Sequence, residues 1–567
     1  MDSEVNLLIK KWTLHNAVNF GGNANPGAII GKLIAEKPEL KKQLKELQPL
    51  IQKTVHEVNS MANDEQFAEL KKIAPELLEE KPKEKREGLR PLVDAEKGKI
   101  VVRVEPSPSG PLHIGHAYAI GINYGYKKMY DGKLYVRISD TNPENIYAPA
   151  YELIEKDANW LTEKGVTDFV IQSDRLEKYY KVAEKLISDC TAYVCTCNPD
   201  EFHSLINKKQ ACPCRDISQK ENLLRWAKMF SDFSPGEAVV RIKTDVEHSN
   251  PAMRDWPALR INDHVHPRTK DKFRVWPLMN LAVAVDDHDL GMTHVINGKD
   301  HADNAKRQKY IFDYMGWKRP QYINWGRINF QGFEVSCTKT KERIQQGEFD
   351  GWDDIRLPFL PALRRRGYQP GAFVKLAIDI GLSLTDKTVS MEEFFKNLNA
   401  NNKDIIDPSS SRFFFIDDPV EIEIAGIPER DLELKKHPDF PKRGKRKFHT
   451  KNRFYIQRED WASIKNNEMY RLMDCANFIR RNKAYVFDSI EYEKYKTFGD
   501  FIMHWLPVSD DLVNVEVLMP DKTVRKGLGE PELKHINKGD IVQLERFGFC
   551  RLDKIEGNKL TFWFAHR

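Results

Sequence analysis

The sequence predicts a multidomain protein that is α/β in its middle and all-β at its C-terminal end. From Lys99, short apolar runs alternate with helix-like stretches, the pattern of parallel strands joined by crossover helices. That pattern breaks at Cys195 and resumes near Thr293, as an insertion into a sheet would make it. From Asp407 onward, short strand-like runs recur between turn-forming residues, the mark of barrels or sandwiches. A chain of 567 residues exceeds one hydrophobic core, and 41% apolar content fills several. No internal repeat emerges.

The elements follow in order. Residues 1–93 form an appended helical domain: LKKQLKELQPLIQKTVHEV keeps apolar residues three and four apart, and GGNANPG interrupts an earlier helix. Its last part, EEKPKEKREG from Glu79 to Gly88, is charged and nearly free of large apolar residues, as a solvated linker is. Residues 94–194 hold the first half of the sheet domain, with KIVVRV, HAYAIGINYGYKKMY, KLYVRI, APAYELIEKDANWLTEKG and FVIQ. Residues 195–287 are the insertion, with candidate strands such as EAVVRIKT. Residues 288–345 complete the sheet through THVIN, ADNAKRQKYIFDYMG and QYINWGRI; 346–405 is a helical connector containing GAFVKLAIDIGL. Residues 406–567 are β, with VEIEIAG, FYIQ, NVEVLMP, DIVQLERFGF and LTFWFAH.

The net charge of +5 is small against 89 basic and 84 acidic residues, so a polyanion would be met by local patches. The start, MDSEVNLLIKKW, carries acid where a signal peptide needs a basic leader, and no run approaches the roughly 20 apolar residues of a membrane span. A cytoplasmic monomer with no membrane association is expected.

The stretch RVEPSPSGPLHIGHAYAIGINYGY, Arg103 to Tyr126, places prolines and glycines between the first strand and the first crossover helix. In such a sheet this turn faces the binding crevice, and the helix start offers free N–H groups and a positive dipole end to phosphate. Pro106, Pro108, Gly110 and Pro111 shape the turn; His113 and His116, three apart, share one side of the helix start, where imidazole N–H groups reach phosphate oxygens. Gly115 has no side chain to block a flat ring. The set suits a nucleotide whose phosphate gains charge in a transition state.

His113, Ile114, Gly115 and His116 also spell the signature of class I aminoacyl-tRNA synthetases, which this chain resembles. Val335-Ser336-Cys337-Thr338-Lys339-Thr340 resembles the second signature, a flexible lysine loop, in the Ser-Thr-Ser-Lys variant common in archaeal glutamyl enzymes; Cys337 and Thr338 depart from it. GEFDGWDDIRLPFLPALRRRGYQP, YVRISDTNPE and VAVDDHDLGMTHVINGKDHADNAKRQ are similar to segments of the glutamyl and glutaminyl branch. The tail, from IDPSSSRFFFIDDP to GDIVQLERFGFCRLD, resembles the paired β-barrels with which archaeal members read an anticodon. The best single likeness is to the archaeal-type glutamyl enzymes.

The resemblance implies a Rossmann-like catalytic domain split by an acceptor-stem-binding insertion. It implies attachment of glutamate to tRNA(Glu), with ATP and Mg²⁺ as the substrate complex, and leaves tRNA(Gln) open as a second acceptor. Glutaminyl-tRNA synthetase is the near alternative, and an inactive tRNA-binding paralogue the distant one. His113, His116 and Lys339 become the catalytic residues, and Pro106, Ser107, Gly110, Gly115 and Asp300 join them around ATP. Arg103, Glu105, Ser107, Ser139, Met279 and Asn297 fall at amino-acid-binding positions. An arginine fork at Arg103 suits a γ-carboxylate. Elsewhere the pocket departs from the branch: Ser139 stands where an acid is usual, Met279 where a tyrosine is, and Asn297 where glutamyl enzymes carry arginine. Glu105, at a usually uncharged position, is the candidate to hold the substrate ammonium instead. Without the arginine cation usual at position 297, the preference for glutamate over glutamine is expected to weaken.

Cys195, Cys197, Cys212 and Cys214 offer four thiolates, enough for a closed structural zinc site in the insertion, against the alternative of reduced, partly buried thiols. His203, His264, His266 and His288 are expected to be hydrogen-bonded or surface residues. KKHPDFPKRGKRKFHTKNRFYIQ, from Lys435, interleaves basic residues with Phe440, Phe448, Phe454 and Tyr455, as a surface reading unstacked bases would, against the alternative of a solvated basic loop beside aromatics buried in the core.

Overall fold

The computed structural model describes residues 3–78 and 88–567, and the chain divides into two compact units, 1–87 and 88–567. The charged linker lies, up to residue 87, outside the described residues. In the first unit, helices Ser3–Asn19, Pro26–Glu36, Leu44–Asn59 and Asn63–Ile73 close on a common core. The periodicity has its expected cause: Leu47, Ile51, Val55 and Val58 all turn inward. Asn25 caps the second helix, its side chain accepting the Gly27 N–H, with Pro26 at the first helical position.

The second unit begins with parallel strands Val101–Val104, Lys133–Ile138 and Asp168–Ile171, paired in that order. A parallel pair, His294–Gly298 with Gln321–Trp325, abuts the first strand: the Thr293 N–H donates to the Val101 carbonyl at 3.0 Å. The spatial order is therefore 168–171, 133–138, 101–104, 294–298, 321–325, the doubly wound arrangement, with helices Ile114–Tyr130, Ala150–Leu161 and Ala302–Tyr314 as crossovers. Between the halves, Ala192–Cys195, Val239–Ile242, Pro257–Ile261 and Val275–Pro277 make an antiparallel meander. Its core, with Trp256 and Trp276, is shared with residues of helices Leu176–Ser188 and Met279–Asp289, which join the insertion to the sheet domain.

Helices Leu360–Arg366, Pro370–Ile380 and Met391–Ile406 form the connector. Two seven-stranded sheets follow. The edge strands of one, Arg412–Phe413 and Phe415–Asp417, are nearly consecutive in the chain, which brings that sheet close to a closed barrel. One expectation is corrected here. Phe448 and Phe454, alternate inward positions of their strands, are 4% and 0% exposed and belong to the core, so they are no platforms for bases. Phe440 is exposed and Tyr455 half-buried.

Candidate active site

The order of strands reverses between Val101–Val104 and His294–Gly298, and a crevice at such a point is where doubly wound sheets bind ligands. A cavity of about 670 Å³ lies there. Glu105, Pro106, Ser107 and Ser109 from the turn after the first strand form one wall, with His113 and His116 from the helix start. Ser139, Thr141 and Asn142 follow the second strand; Arg260 and Met279 come from the insertion and its return helix; Val335, Cys337 and Thr338 close the far side.

His113 is the cap of helix Ile114–Tyr130, with extended backbone at φ −116°. Its Nδ1 accepts the Gly115 N–H at 3.0 Å, while Nδ1 of His116 accepts the His113 N–H at 3.3 Å. The two rings thus satisfy helix-start donors reciprocally. With each Nδ1 accepting, each ring carries its proton on Nε2, and neither Nε2 has a hydrogen-bond partner among the described residues. Burial, then the neighbouring His116, pushes His113 well below the usual imidazole range, and burial pushes His116 down to about 4. Both are neutral at physiological pH, so each presents a single N–H donor, on Nε2. Gly115 is required by this pair: a Cβ there would lie 2.9 Å from Cε1 of His113. The flat ring that uses its missing side chain is His113 itself.

Gly110 sits behind the wall, not on it. A Cβ at Gly110 would lie 3.0 Å from both Cys337 Sγ and the Trp352 ring, so the missing side chain lets the two signature segments pack together. Cys337 Sγ also lies 3.8 Å from the Pro111 carbonyl. The lysine expected on a flexible loop is in the first turn of helix Cys337–Gln345, where Ser336 Oγ accepts the Lys339 N–H at 3.4 Å. The Lys339 side chain is 70% exposed, with Nζ 3.9 Å from the Glu334 carboxylate. Asp300 is exposed and folds back over Gly298 beside the cavity, outside its lining.

The amino-acid end differs most from expectation. Arg103 is 1% exposed, and its Nε and Nη2 hold Asp287 bidentately at 2.8 and 2.9 Å, so its fork is already occupied. Arg137, fully buried, donates from Nη1 to Asp287 at 2.8 Å and from Nη2 to Glu105. Burial works against both kinds of charge, but the opposed charges win: Arg103 is held above its usual range and Asp287 below its own. Glu105 Oε1 lies 3.4 Å from Arg103 Nη1, and the Asn297 side chain bridges the two at 3.5 Å on each side. Glu105 therefore faces two guanidinium groups from the edge of the cavity. Ser139 lines the cavity and donates its N–H to the Pro106 carbonyl at 3.0 Å. Asp140 next to it is buried and accepts from Tyr151 and Ser173, so it does not replace the missing acid. Met279 stands half-exposed on the wall.

Three participants escaped the sequence reading: Arg137, Asp287 and Arg260. Their signal was a charge inside an otherwise apolar run, KLYVRI, VAVDD and PALRI, since a charge on a buried element demands a partner. Arg260 donates to Asn142 Oδ1 at 2.8 Å and has no carboxylate partner among the described residues.

The comparisons with known proteins bear on this geometry. The family profile of tRNA synthetases class I (E and Q), catalytic domain, matches residues 99–407, and two profiles of the anticodon-binding domain of the same enzymes match 410–493 and 502–553. The chain belongs to the class I glutamyl and glutaminyl tRNA synthetase family. It is 45% identical over 580 residues to the glutamate–tRNA ligase of Pyrococcus abyssi, covering 100% of both chains. It is 42% identical over 562 residues to that of Methanobrevibacter smithii, covering 99% of each. Among solved structures, a glutamate tRNA ligase from Elizabethkingia meningosepticum overlaps 55% of this chain and 71% of its own at TM-score 0.40 and 16% identity, too distant to bear on the site.

As a synthetase of this family, the chain brings its two signatures to one cavity. Its cysteines form a second site, in the insertion. Sγ atoms of Cys195 and Cys212 are 3.8 Å apart, those of Cys197 and Cys214 3.6 Å, and all four lie within 4.8 Å of one another. A tetrahedral ion with Zn–S bonds of about 2.3 Å spaces its sulfurs by about 3.8 Å, so the cluster fits zinc. His203 and His264 are exposed, His266 bonds the Asp140 carbonyl and His288 stacks on Trp317, as expected of non-ligands. No helix among the described residues is long and apolar enough to cross a membrane.

Proposed function

We propose that the chain joins glutamate to tRNA(Glu) in an ATP-dependent reaction. The observation that carries the reading is the pair of neutral histidines at a helix start, facing the lysine-bearing helix across one cavity. The full-length relatives named glutamate–tRNA ligase support glutamate as the substrate and lend nothing to the glutaminyl or inactive alternatives. The glutamate α-carboxylate attacks the ATP α-phosphorus and pyrophosphate leaves. The Nε2–H groups of His113 and His116 donate to phosphate oxygens as charge builds, and Lys339, free to swing from its exposed position, neutralises the departing phosphates. Mg²⁺ enters with ATP and shares that load. The terminal adenosine hydroxyl of tRNA then displaces AMP from the acyl adenylate. No protein nucleophile takes part; positioning and charge stabilisation suffice.

Structural zinc held by Cys195, Cys197, Cys212 and Cys214, a cytoplasmic location and a monomeric state complete the reading. Aminoacylation of tRNA(Glu) and tRNA(Gln) with radiolabelled glutamate or glutamine tests it. Glutamate on tRNA(Glu) is expected, and its transfer to tRNA(Gln) measures discrimination between the tRNAs; glutamine on tRNA(Gln), or no product, refutes it.

A further inference from the structure

Glu105 is the one acid among the described residues lining the cavity, yet both its oxygens turn away from that space. One bonds Arg137 Nη2 and the other lies 3.4 Å from Arg103 Nη1. Behind the wall, then, Arg103 and Arg137 face the carboxylates of Asp287 and Glu105; Asp286, 3.7 Å from Arg137 Nε, is already held by Arg175, and Asn297 adds no charge. The two acids are not equivalent. Asp287 is 1% exposed and clamped by both arginines; the Glu105 side chain is 16% exposed and borders the cavity, so it alone can leave without unfolding anything. A substrate carboxylate approaching these arginines finds its place taken by a carboxylate of the protein.

We propose that Glu105 is a tethered counter-ion which glutamate displaces. The substrate γ-carboxylate takes over Arg137 and the free edge of Arg103, and the Glu105 carboxylate swings into the cavity, where the substrate ammonium becomes its partner. This rests on the reading of glutamate as the substrate. It also accounts for selectivity where Asn297 supplies no cation. Glutamine, being neutral, cannot replace the charge it would expel, so Arg103 and Arg137, both buried, would lose the Glu105 anion with nothing charged in its place, an unfavourable state. The exchange thus favours an acidic side chain.

Steady-state aminoacylation of the unaltered enzyme and of Glu105→Gln tests it. Glutamine at this position keeps the size and can still accept a hydrogen bond from an ammonium group, but it no longer competes as an anion. A fall in the glutamate KM of about tenfold, with a smaller change in kcat and with free glutamine still a poor substrate, is expected. An unchanged or raised KM overturns the proposal, because a counter-ion that glutamate must displace cannot be lost without easing glutamate binding. Should the variant fail to fold, a structure of the unaltered enzyme with glutamate decides: Glu105 off Arg137 supports the exchange, and Glu105 still on Arg137 refutes it. Failure of the unaltered enzyme to charge tRNA(Glu) is a separate result, which removes the glutamate reading itself.

Discussion

Replacing Gly115 by alanine separates the stability of the helix start from its chemistry. The added Cβ would stand 2.9 Å from Cε1 and 3.1 Å from Nδ1 of His113, so the imidazole must yield. Yielding stretches the 3.0 Å bond that Nδ1 accepts from the Gly115 N–H, which fixes both the tautomer and the aim of Nε2. The lost cap costs about 1 kcal/mol, and alanine returns up to about 1 kcal/mol in helix propensity. Thermal stability should therefore stay nearly constant. Catalysis has no such offset: one mis-aimed donor to a developing charge costs about 10²–10³ in kcat. The assay is aminoacylation of tRNA(Glu) at saturating ATP and glutamate, alongside a melting curve. A Gly115→Ala enzyme whose kcat stays within about threefold of the parent's would show that the His113 ring is not held for catalysis by this contact.

Asp287→Ala removes the carboxylate between two buried arginines and should lower the unfolding free energy by about 3–5 kcal/mol in urea titration; a loss under about 1 kcal/mol would mean the arginines find other partners. Lys339→Ala, at a 70% exposed side chain, should leave the melting curve unchanged while kcat falls by about two orders of magnitude, and equal kcat would remove this lysine from the reaction. Metal analysis should find one zinc per chain, with chelation lowering the melting temperature; full stability in a metal-free preparation would leave the cysteines as plain thiols. His113, His116 and His504 are held neutral by burial, the last two titrating at about 4, whereas the unfolded chain takes up these protons near 6.5. Their contribution to stability is thus present above 6.5 and lost as the pH falls toward 4, so melting temperatures should drop between pH 7 and pH 5, and a flat profile there would contradict the burial of these rings.

Much of this architecture was legible because local pattern and tertiary need coincide. KIVVRV and KLYVRI are strands because both are buried in a parallel sheet, and the histidine pair could be placed at a helix start from the turn chemistry before it. What escaped was partnership. Arg103 reads as a free fork in a sequence, because nothing in the letters shows that Asp287, 184 residues away, already holds it. Lys339 reads as loop because the helix it opens is short and polar, and is set by the Ser336 cap and the burial of Cys337 and Thr340. Phe448 and Phe454 looked like base platforms because flanking basic residues mask a period of two in which every second side chain faces the core.

The contact of Gly110 with Cys337 and Trp352 makes two distant stretches of sequence one unit of volume. Growth at either position presses on the other, so through descent these sites should vary as a pair: a chain with alanine at 110 is expected to carry a smaller residue at 337, and a bulkier residue at 337 should favour glycine opposite it. The histidine turn and the lysine helix meet there as a fitted joint.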